Sequence, residues 1–187
     1  MWGFRKTTVG NILVKTGDQL QIATPVVFLI YSACRLGSPI TKVFVISYAV
    51  SEAIQGSLKV LFNNPRPNRV EGTVNPPLKL EWSVNEGDSF PSGHTMSAMT
   101  GGIFWFQMRY ICGYPVMGII GVLLGVVTGL SRIISRSHWL RDVVTSWVTA
   151  VLIYWVAKTC FIGRTSGGTL EWRRFFRRRG DSRRSGG

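Results

Sequence analysis

Residues 115–134 read PVMGIIGVLLGVVTGLSRII, and this stretch decides the class of fold. It contains no charged residue between Val116 and Leu130, and its length falls within the roughly 17–25 residues that an α-helix needs to cross a bilayer. Four glycines recur in it at spacings of three and four residues: Gly118, Gly121, Gly125 and Gly129. They share one helix face, where small residues let a neighbouring helix approach closely. The stretch therefore predicts one helix of a membrane bundle.

Four further apolar stretches of similar length surround this one, at about 20–36, 40–62, 95–112 and 143–163. The predicted fold class is all-α, a polytopic membrane helix bundle of about five spans, because a spanning helix satisfies its own backbone hydrogen bonds. Residues 1–20 lack a continuous apolar run, so they predict no cleavable signal peptide. We interpret them as a segment lying at the membrane interface. Their charged residues are Arg5, Lys6, Lys15 and Asp18.

The C-terminal end carries much of the charge of the chain. The formal net charge is +13, and residues 164–187 contain eight arginines but only Glu171 and Asp181 as acidic residues. An arginine cluster directly after a span is expected on the cytoplasmic side, near anionic lipid headgroups. We therefore predict two parts: a membrane-embedded domain over 1–163 and a basic, flexible cytoplasmic tail over 164–187. Nucleic-acid binding is the alternative reading of such a tail; we favour the membrane because the cluster follows a span.

Two polar segments, 63–94 and 131–142, interrupt the apolar stretches. Two spans lie between them, so both segments emerge on the same side of the membrane. If the basic tail is cytoplasmic, this is the extracytoplasmic side. An ordinary soluble globule is excluded by the long apolar stretches and by the scarcity of charge outside the tail.

The chain has only two histidines, and both lie in these polar segments. Asp142 follows His138 by four residues, so the two side chains share a face if a helix begins there. A carboxylate that accepts a hydrogen bond from one ring nitrogen leaves the other nitrogen as a lone pair for use as a nucleophile or base. The alternative is a structural pair at the rim of the bundle.

His94 ends the run Phe90-Pro91-Ser92-Gly93-His94, directly before an apolar segment. A Ser-Gly turn that opens a helix directs backbone N–H groups outward at the positive end of the helix dipole, which favours phosphate binding. Ser92 is alternatively only an N-cap.

Several basic residues lie at the predicted span ends. Lys59 and Arg66 can reach a common point at the membrane surface, and Arg132 follows the fourth span. A lysine at a span end is alternatively only snorkelling. Glu52 differs, since a carboxylate within a span should face the bundle interior or a partner, and Lys59 is the expected partner. The cysteines have no metal-ligand spacing and no carboxylates cluster here, so we predict neither metal nor cofactor.

Three different motifs occur along the chain in the order expected for a known family. Residues 59–67 read K-x6-R-P, residues 91–94 read P-S-G-H, and residues 131–142 read S-R-x5-H-x3-D. Together they resemble the signature of the type 2 phosphatidic acid phosphatase family, which includes bacterial acid phosphatases and vanadium haloperoxidases. The runs FPSGHTM (90–96) and HWLRD (138–142) are most similar to the bacterial phosphatidylglycerophosphatase B group, which also acts on undecaprenyl pyrophosphate. That group usually has six spans, so five spans here predict an N-terminus outside the cytoplasm.

The resemblance implies a division of labour among these residues. His138 is expected to attack phosphorus, with Asp142 orienting it, and His94 to protonate the leaving oxygen and later activate water. It also implies that the reaction needs no metal. The residues expected to bind the phosphoryl oxygens are Lys59, Arg66, Ser92, Gly93 and Arg132.

The resemblance implies an integral lipid phosphatase of the cell inner membrane, active on its extracytoplasmic face. Undecaprenyl pyrophosphate and phosphatidylglycerophosphate are the favoured substrates. A lipid A phosphatase or a lipid phosphotransferase would use the same residues. Two alternatives come from other classes: a vanadate-dependent haloperoxidase and a non-catalytic membrane protein. The oligomeric state stays open.

Overall fold

A computed structural model describes residues 8–36, 38–62, 64–70, 78, 89–111 and 115–162. Within these ranges the chain forms five helices and no strand, which confirms the all-α prediction. The predicted basic tail over 164–187 lies outside the described residues, so the domain division stays a prediction. The five helices are α1 (Thr8–Tyr31, continued by a π-helical turn, Ser32–Leu36), α2 (Ser38–Leu61), α3 (Gly93–Ile111), α4 (Pro115–Ile134) and α5 (Leu140–Ala157, continued by a π-helical turn, Lys158–Ile162).

Three segments of the described chain are long and apolar enough to cross a membrane: Thr8–Leu36, Pro115–Ile134 and Leu140–Cys160. Helices α2 and α3 have comparable lengths but carry more polar residues, several of which line the site described below. Large apolar side chains are exposed on the outer surface, among them Val116, Leu152 and Trp155. Apolar residues around the whole circumference of a helix are typical of a membrane protein.

The first helix begins earlier than the sequence indicated. We expected the first span near residue 20 after an interfacial segment, but α1 starts at Thr8. Its first half packs on α4, where Gly17 contacts the side chain of Ser131. Asp18 pairs there with an arginine of α4. This partner stabilises a charge that would otherwise disfavour a helix at this depth.

Helix α3 lies at the centre of the bundle and contacts the other four helices. Its closest partner is α4, as the glycine pattern predicted. The backbones of Gly102 and Gly121 touch, and a Cβ added to Gly121 would lie 2.5 Å from Cβ of Trp105. The absence of side chains therefore allows α4 to dock directly on α3.

An aromatic cluster joins α1, α2 and α3. The ring of Phe28 lies 4.7 Å from that of Phe44 and 5.6 Å from that of Phe104, measured between centroids. Tilted and edge-on pairs of this kind each contribute about 0.5–1.5 kcal/mol beyond their buried area. The cluster fixes the three helices whose other ends surround the candidate site.

Candidate active site

The predicted site residues meet at one end of the bundle. Lys59 lies in the last turn of α2 and His94 in the first turn of α3. Arg132 lies in the last turn of α4, and Asp142 lies in the first turn of α5. Because consecutive helices run in opposite directions, these four helix ends face the same side.

His138 is positioned by the turn that follows α4. The backbone N–H groups of Ser137 and His138 donate to the carbonyl of Arg132, at 3.1 and 3.3 Å, and Arg136 adopts a left-handed conformation with φ of 55°. Nδ1 of His138 lies 2.6 Å from the carbonyl oxygen of Ser89. A carbonyl only accepts hydrogen bonds, so Nδ1 carries the proton and Nε2 keeps its lone pair.

Asp142 supports this histidine at slightly longer range. Its Oδ2 atom lies 3.7 Å from Nδ1 of His138 and accepts hydrogen bonds from the Ser89 hydroxyl (2.6 Å) and the Trp139 backbone N–H (2.9 Å). Nε of Arg141 lies 3.6 Å from the other carboxylate oxygen. The two side chains therefore lie side by side as the spacing predicted, but the Ser89 carbonyl, and not Asp142, accepts the hydrogen bond from Nδ1, and the Ser89 hydroxyl connects the pair.

The pKa of His138 is lowered from its ordinary value, mainly because the ring is buried. The nearby carboxylate of Asp142 and the hydrogen bond to the Ser89 carbonyl oppose the shift, while the positive charge of Arg66 adds to it. The ring is therefore neutral at neutral pH. A neutral imidazole with a lone pair on Nε2 is the form that can act as a nucleophile.

A hydrogen bond joins the start of α3 to α5. Ser92 directly precedes the helix, and its carbonyl accepts hydrogen bonds from the Met96 N–H (3.0 Å) and the Ser146 hydroxyl (2.8 Å). The hydroxyl of Ser92 is buried and pairs with that of Thr95 at 2.8 Å. Ser92 therefore occupies the N-cap position that the sequence left as one of two readings. Gly93 follows it as the first residue of the helix.

His94 is partly exposed, and its Nε2 atom lies 3.7 Å from Oδ1 of Asp18. Burial, together with the positive charge of Arg132 and the influence of His138, lowers the pKa of His94 to about 4. The carboxylate of Asp18 opposes this shift, and Lys59 adds a smaller contribution to it.

Arg132 is buried and all three of its nitrogens donate hydrogen bonds. Nη1 donates to Oδ1 of Asp18 at 2.6 Å, Nη2 to the carbonyl of Val14 at 3.0 Å, and Nε to the hydroxyl of Ser131 at 3.1 Å. The arginine thus clamps α1 to α4. Sequence reasoning missed Asp18 as a site residue; the available signal was a carboxylate next to a long apolar stretch.

Lys59 and Arg66 approach the two histidines from different sides. Lys59 lines a polar cavity of about 300 Å³ together with Gly93 and His94, between α1, α2 and α3. Arg66 lies close enough to His138 for its charge to affect the ring. The loop that carries it is tied to the turn after α4 by a hydrogen bond of 2.9 Å from the Trp139 indole to the Pro65 carbonyl.

The structure thus brings together at one end of the bundle every residue that the sequence singled out for the site. Four helices, α2, α3, α4 and α5, contribute to it, together with the loops that follow α2 and α4. Within the described residues, no group of three or more His, Cys, Asp or Glu side chains is arranged to hold a metal ion. The residues that meet at this end of the bundle are Lys59, Arg66, Ser92, Gly93, His94, Arg132, His138 and Asp142.

Comparison with known proteins gives one family match. A model of the PAP2 superfamily matches residues 41–166. The chain is 31% identical over 97 residues to lipid A 1-phosphatase of Porphyromonas gingivalis, a match that covers 45% of this chain and 22% of that protein. It is 33% identical over 92 residues to phosphatidylglycerophosphatase B of Escherichia coli K12, covering 43% of this chain and 34% of that protein. The chain thus matches about a third or less of the length of these curated relatives. No solved structure matches.

Proposed function

The chain belongs to the PAP2 superfamily, and from this premise we propose that it is a membrane lipid phosphatase that works through a phosphohistidine on His138. The observation that carries the proposal is the hydrogen bond of 2.6 Å from Nδ1 of His138 to the Ser89 carbonyl. This bond holds the tautomer in which Nε2 has a free lone pair. His138 also lies close enough to His94 to affect its pKa, and His94 is the second ionisable ring needed for the reaction.

In the first step, Nε2 of His138 attacks phosphorus. A P–N bond forms, the bond from phosphorus to the lipid oxygen breaks, and the leaving oxygen takes a proton from His94. The positive charge that develops on the ring of His138 is stabilised by the carboxylate of Asp142 at 3.7 Å and by the Ser89 carbonyl.

In the second step, water attacks the phosphohistidine. His94, now neutral, takes a proton from the water as its oxygen bonds to phosphorus, and the P–N bond breaks. Inorganic phosphate leaves and both histidines return to their starting forms. The phosphoryl oxygens are held by cationic side chains and by backbone N–H groups at the positive end of α3. The cationic side chains are Lys59, Arg66 and Arg132, and the helix start contributes the Ser92 side chain and the backbone amides of Gly93 and His94, since the Ser92 N–H itself donates to the Asp142 carbonyl at 3.3 Å.

The bound phosphate also prepares His94 for its role. Without phosphate the pKa of His94 is about 4, in part because Arg132 lies nearby. A phosphate dianion next to Arg132 offsets that positive charge and raises the pKa of His94. A bound substrate therefore favours the protonated form of His94 that the leaving oxygen needs. This scheme assigns no step to a metal ion, so we propose that the activity survives EDTA.

The location of the site favours a lipid as substrate. It lies at one end of a bundle whose outer surface is apolar, so a phosphate can reach the cavity while its lipid tail stays in the membrane. We propose an inner-membrane enzyme whose site faces away from the cytoplasm and whose basic tail is cytoplasmic. Phosphatidylglycerophosphate and undecaprenyl pyrophosphate are the leading substrates. The named Porphyromonas gingivalis relative supports lipid A 1-phosphate as a second candidate.

The proposal is tested by phosphate release from purified protein in detergent. Each lipid phosphate is assayed with wild type, His138→Ala, His94→Ala and Leu140→Ala, with and without EDTA. Leu140 is the matched control because it is exposed at the start of α5, two residues from His138. We expect both histidine variants to lose activity and Leu140→Ala to retain it. Full activity in His138→Ala would contradict the proposed nucleophile.

A further inference from the structure

Glu52 is an acidic residue of α2 that the proposed mechanism does not use. It lies seven residues before Lys59, so it sits about 10 Å further from the reacting end of the helix. The side chain is half-buried and lines the polar cavity of about 300 Å³ that also contains His94. A carboxylate at such a depth is costly and marks a functional site by default. We name this cavity the Glu52 pocket; its deeper wall is formed by Gln21, Tyr48, Glu52, Gln55 and Ser97.

Among Tyr48, Glu52 and Ser97 in this wall, hydrogen-bond acceptors outnumber donors. Ser97 donates its hydroxyl proton to the Gln21 carbonyl at 2.8 Å, so at 2.7 Å from Tyr48 its oxygen is left to accept. The carboxylate of Glu52 also interacts with the Tyr48 hydroxyl and with the charge of Lys59. Tyr48 has a single proton to offer two acceptors, and a carboxylate alone offers about four lone-pair sites. A ligand hydroxyl that donates to Glu52 therefore complements these three side chains.

The pocket begins where the reaction takes place. Gly93 and His94 line its opening, and Ser97 lies one turn, about 4.5 Å, further along α3. The amide of Gln55 packs so closely on Gly93 that an added Cβ would lie 2.6 Å from Oε1. A substrate whose phosphate contacts His94 therefore places the next part of its headgroup against Gln55 and Glu52.

We propose that the Glu52 pocket binds a neutral headgroup with a free hydroxyl next to the phosphate-bearing carbon, as in a glycerol phosphate. The hydroxyl donates to Glu52 and accepts from the amide of Gln55. A prenyl diphosphate has no such hydroxyl and would bring its second phosphate against the carboxylate of Glu52. Among lipid phosphates, the site thus selects hydroxyl-bearing monoesters over diphosphates.

Because this assignment rests on the function proposed above, the test uses substrates that differ only in the relevant group. Lysophosphatidate and phosphatidate are both glycerol phosphomonoesters, but only the former has a free hydroxyl beside the phosphate-bearing carbon. Undecaprenyl pyrophosphate serves as the diphosphate. We expect wild-type kcat/KM for lysophosphatidate to exceed that for each of the other two substrates by about tenfold or more. This ratio is what one hydrogen bond to a charged group contributes. Glu52→Gln should reduce this preference to within about threefold.

Three further variants complete the test. Glu52→Asp should retain part of the preference, and Tyr48→Phe should reduce it in the same direction as Glu52→Gln, which covers the case in which Glu52→Gln fails to fold. Val50→Ala, on the exposed side of the same helix, should keep the preference. Equal loss on all substrates in Glu52→Gln, or the absence of a preference in wild type, would overturn the assignment. Activity in His138→Ala would instead overturn the proposed function, so the two failures are distinguishable.

Discussion

Asp18 of α1 and Arg132 of α4 lie 114 positions apart in the sequence and form an ion pair of 2.6 Å. The same oxygen of Asp18 lies 3.7 Å from Nε2 of His94. The carboxylate is thus placed between two groups that the proposed mechanism assigns to the phosphoryl group and its leaving oxygen. A carboxylate and a phosphoryl oxygen compete for the same guanidinium donors.

Asp18→Asn should therefore strengthen phosphate binding. Removal of the negative charge leaves Arg132 more available to an anion, and we expect the inhibition constant of inorganic phosphate to fall by about three- to tenfold. The measurement is inhibition of lipid dephosphorylation by phosphate at fixed ionic strength. Lys15→Gln is the control, since Lys15 is an exposed charged residue of the same helix. Weaker phosphate inhibition in Asp18→Asn would show that Asp18 orients Arg132 for phosphate instead of competing with it.

The buried side of the nucleophile gives a second prediction. Asp142→Asn keeps the shape of the side chain but removes the charge that stabilises the ring of His138 at 3.7 Å. We expect kcat to fall by on the order of 10³, because a unit charge at this distance contributes about 4 kcal/mol at an effective dielectric constant of 20. Ser89→Ala keeps the carbonyl that holds Nδ1 and loses only the hydroxyl that bonds Asp142. Its kcat should fall by about tenfold with little change in KM.

These two variants also separate catalysis from structure. Circular dichroism should show the same helix content in both as in wild type, because the backbone contacts of the turn after α4 are unchanged. A larger fall in kcat in Ser89→Ala than in Asp142→Asn would contradict the prediction that the carboxylate contributes more to the reaction than the Ser89 hydroxyl.

Whether the sequence predicts a contact in this site depends on how many residues separate the two partners along the chain. The pairing of His138 with Asp142 follows from a spacing of four residues, which is a local property of a helix start. The three motifs also identified the cationic residues. The Ser89 carbonyl leaves no trace in the sequence, because every residue has a carbonyl and only the folded loop decides which one points at the ring.

The role of α1 is the part that sequence reasoning missed. Residues 1–20 looked interfacial because they lack a continuous apolar run, and because unpaired charges such as those of Lys15 and Asp18 disfavour a membrane helix. Arg132 provides the missing partner, and it does so through a tertiary contact that no periodicity reveals. The glycine face of α4, in contrast, was predictable, since close helix contact requires small residues at regular spacing.

The histidines give a prediction for stability against pH. The pKa of His94 is about 4 and that of His138 is also lowered, whereas an unfolded histidine titrates near 6.5. Below pH 6.5 the unfolded chain therefore binds more protons than the folded protein, and stability falls as pH falls. We expect the Tm in detergent to decrease from pH 7 to pH 5, above the range in which most carboxylates titrate. His94→Gln should show a smaller decrease; an equal decrease would mean that His94 is not the responsible group.

The contact between α3 and α4 gives the last prediction. A Cβ added to Gly102 would collide with the backbone carbonyl of Gly121, which cannot move away without shifting α4. Overpacking of this kind costs about 1–3 kcal/mol, so Gly102→Ala should lower the Tm.

Activity should fall in Gly102→Ala as well, because a displaced α4 carries Arg132 away from His94 at the same end of the bundle. Gly56→Ala is the matched control: among the described residues, no atom beyond its own stretch of helix lies within 4 Å of the added Cβ, and alanine favours the helix. Its Tm should stay the same or rise slightly. If both variants lost stability equally, loss of glycine as such would be responsible, and the close approach of α3 and α4 would not be what holds Arg132 beside His94.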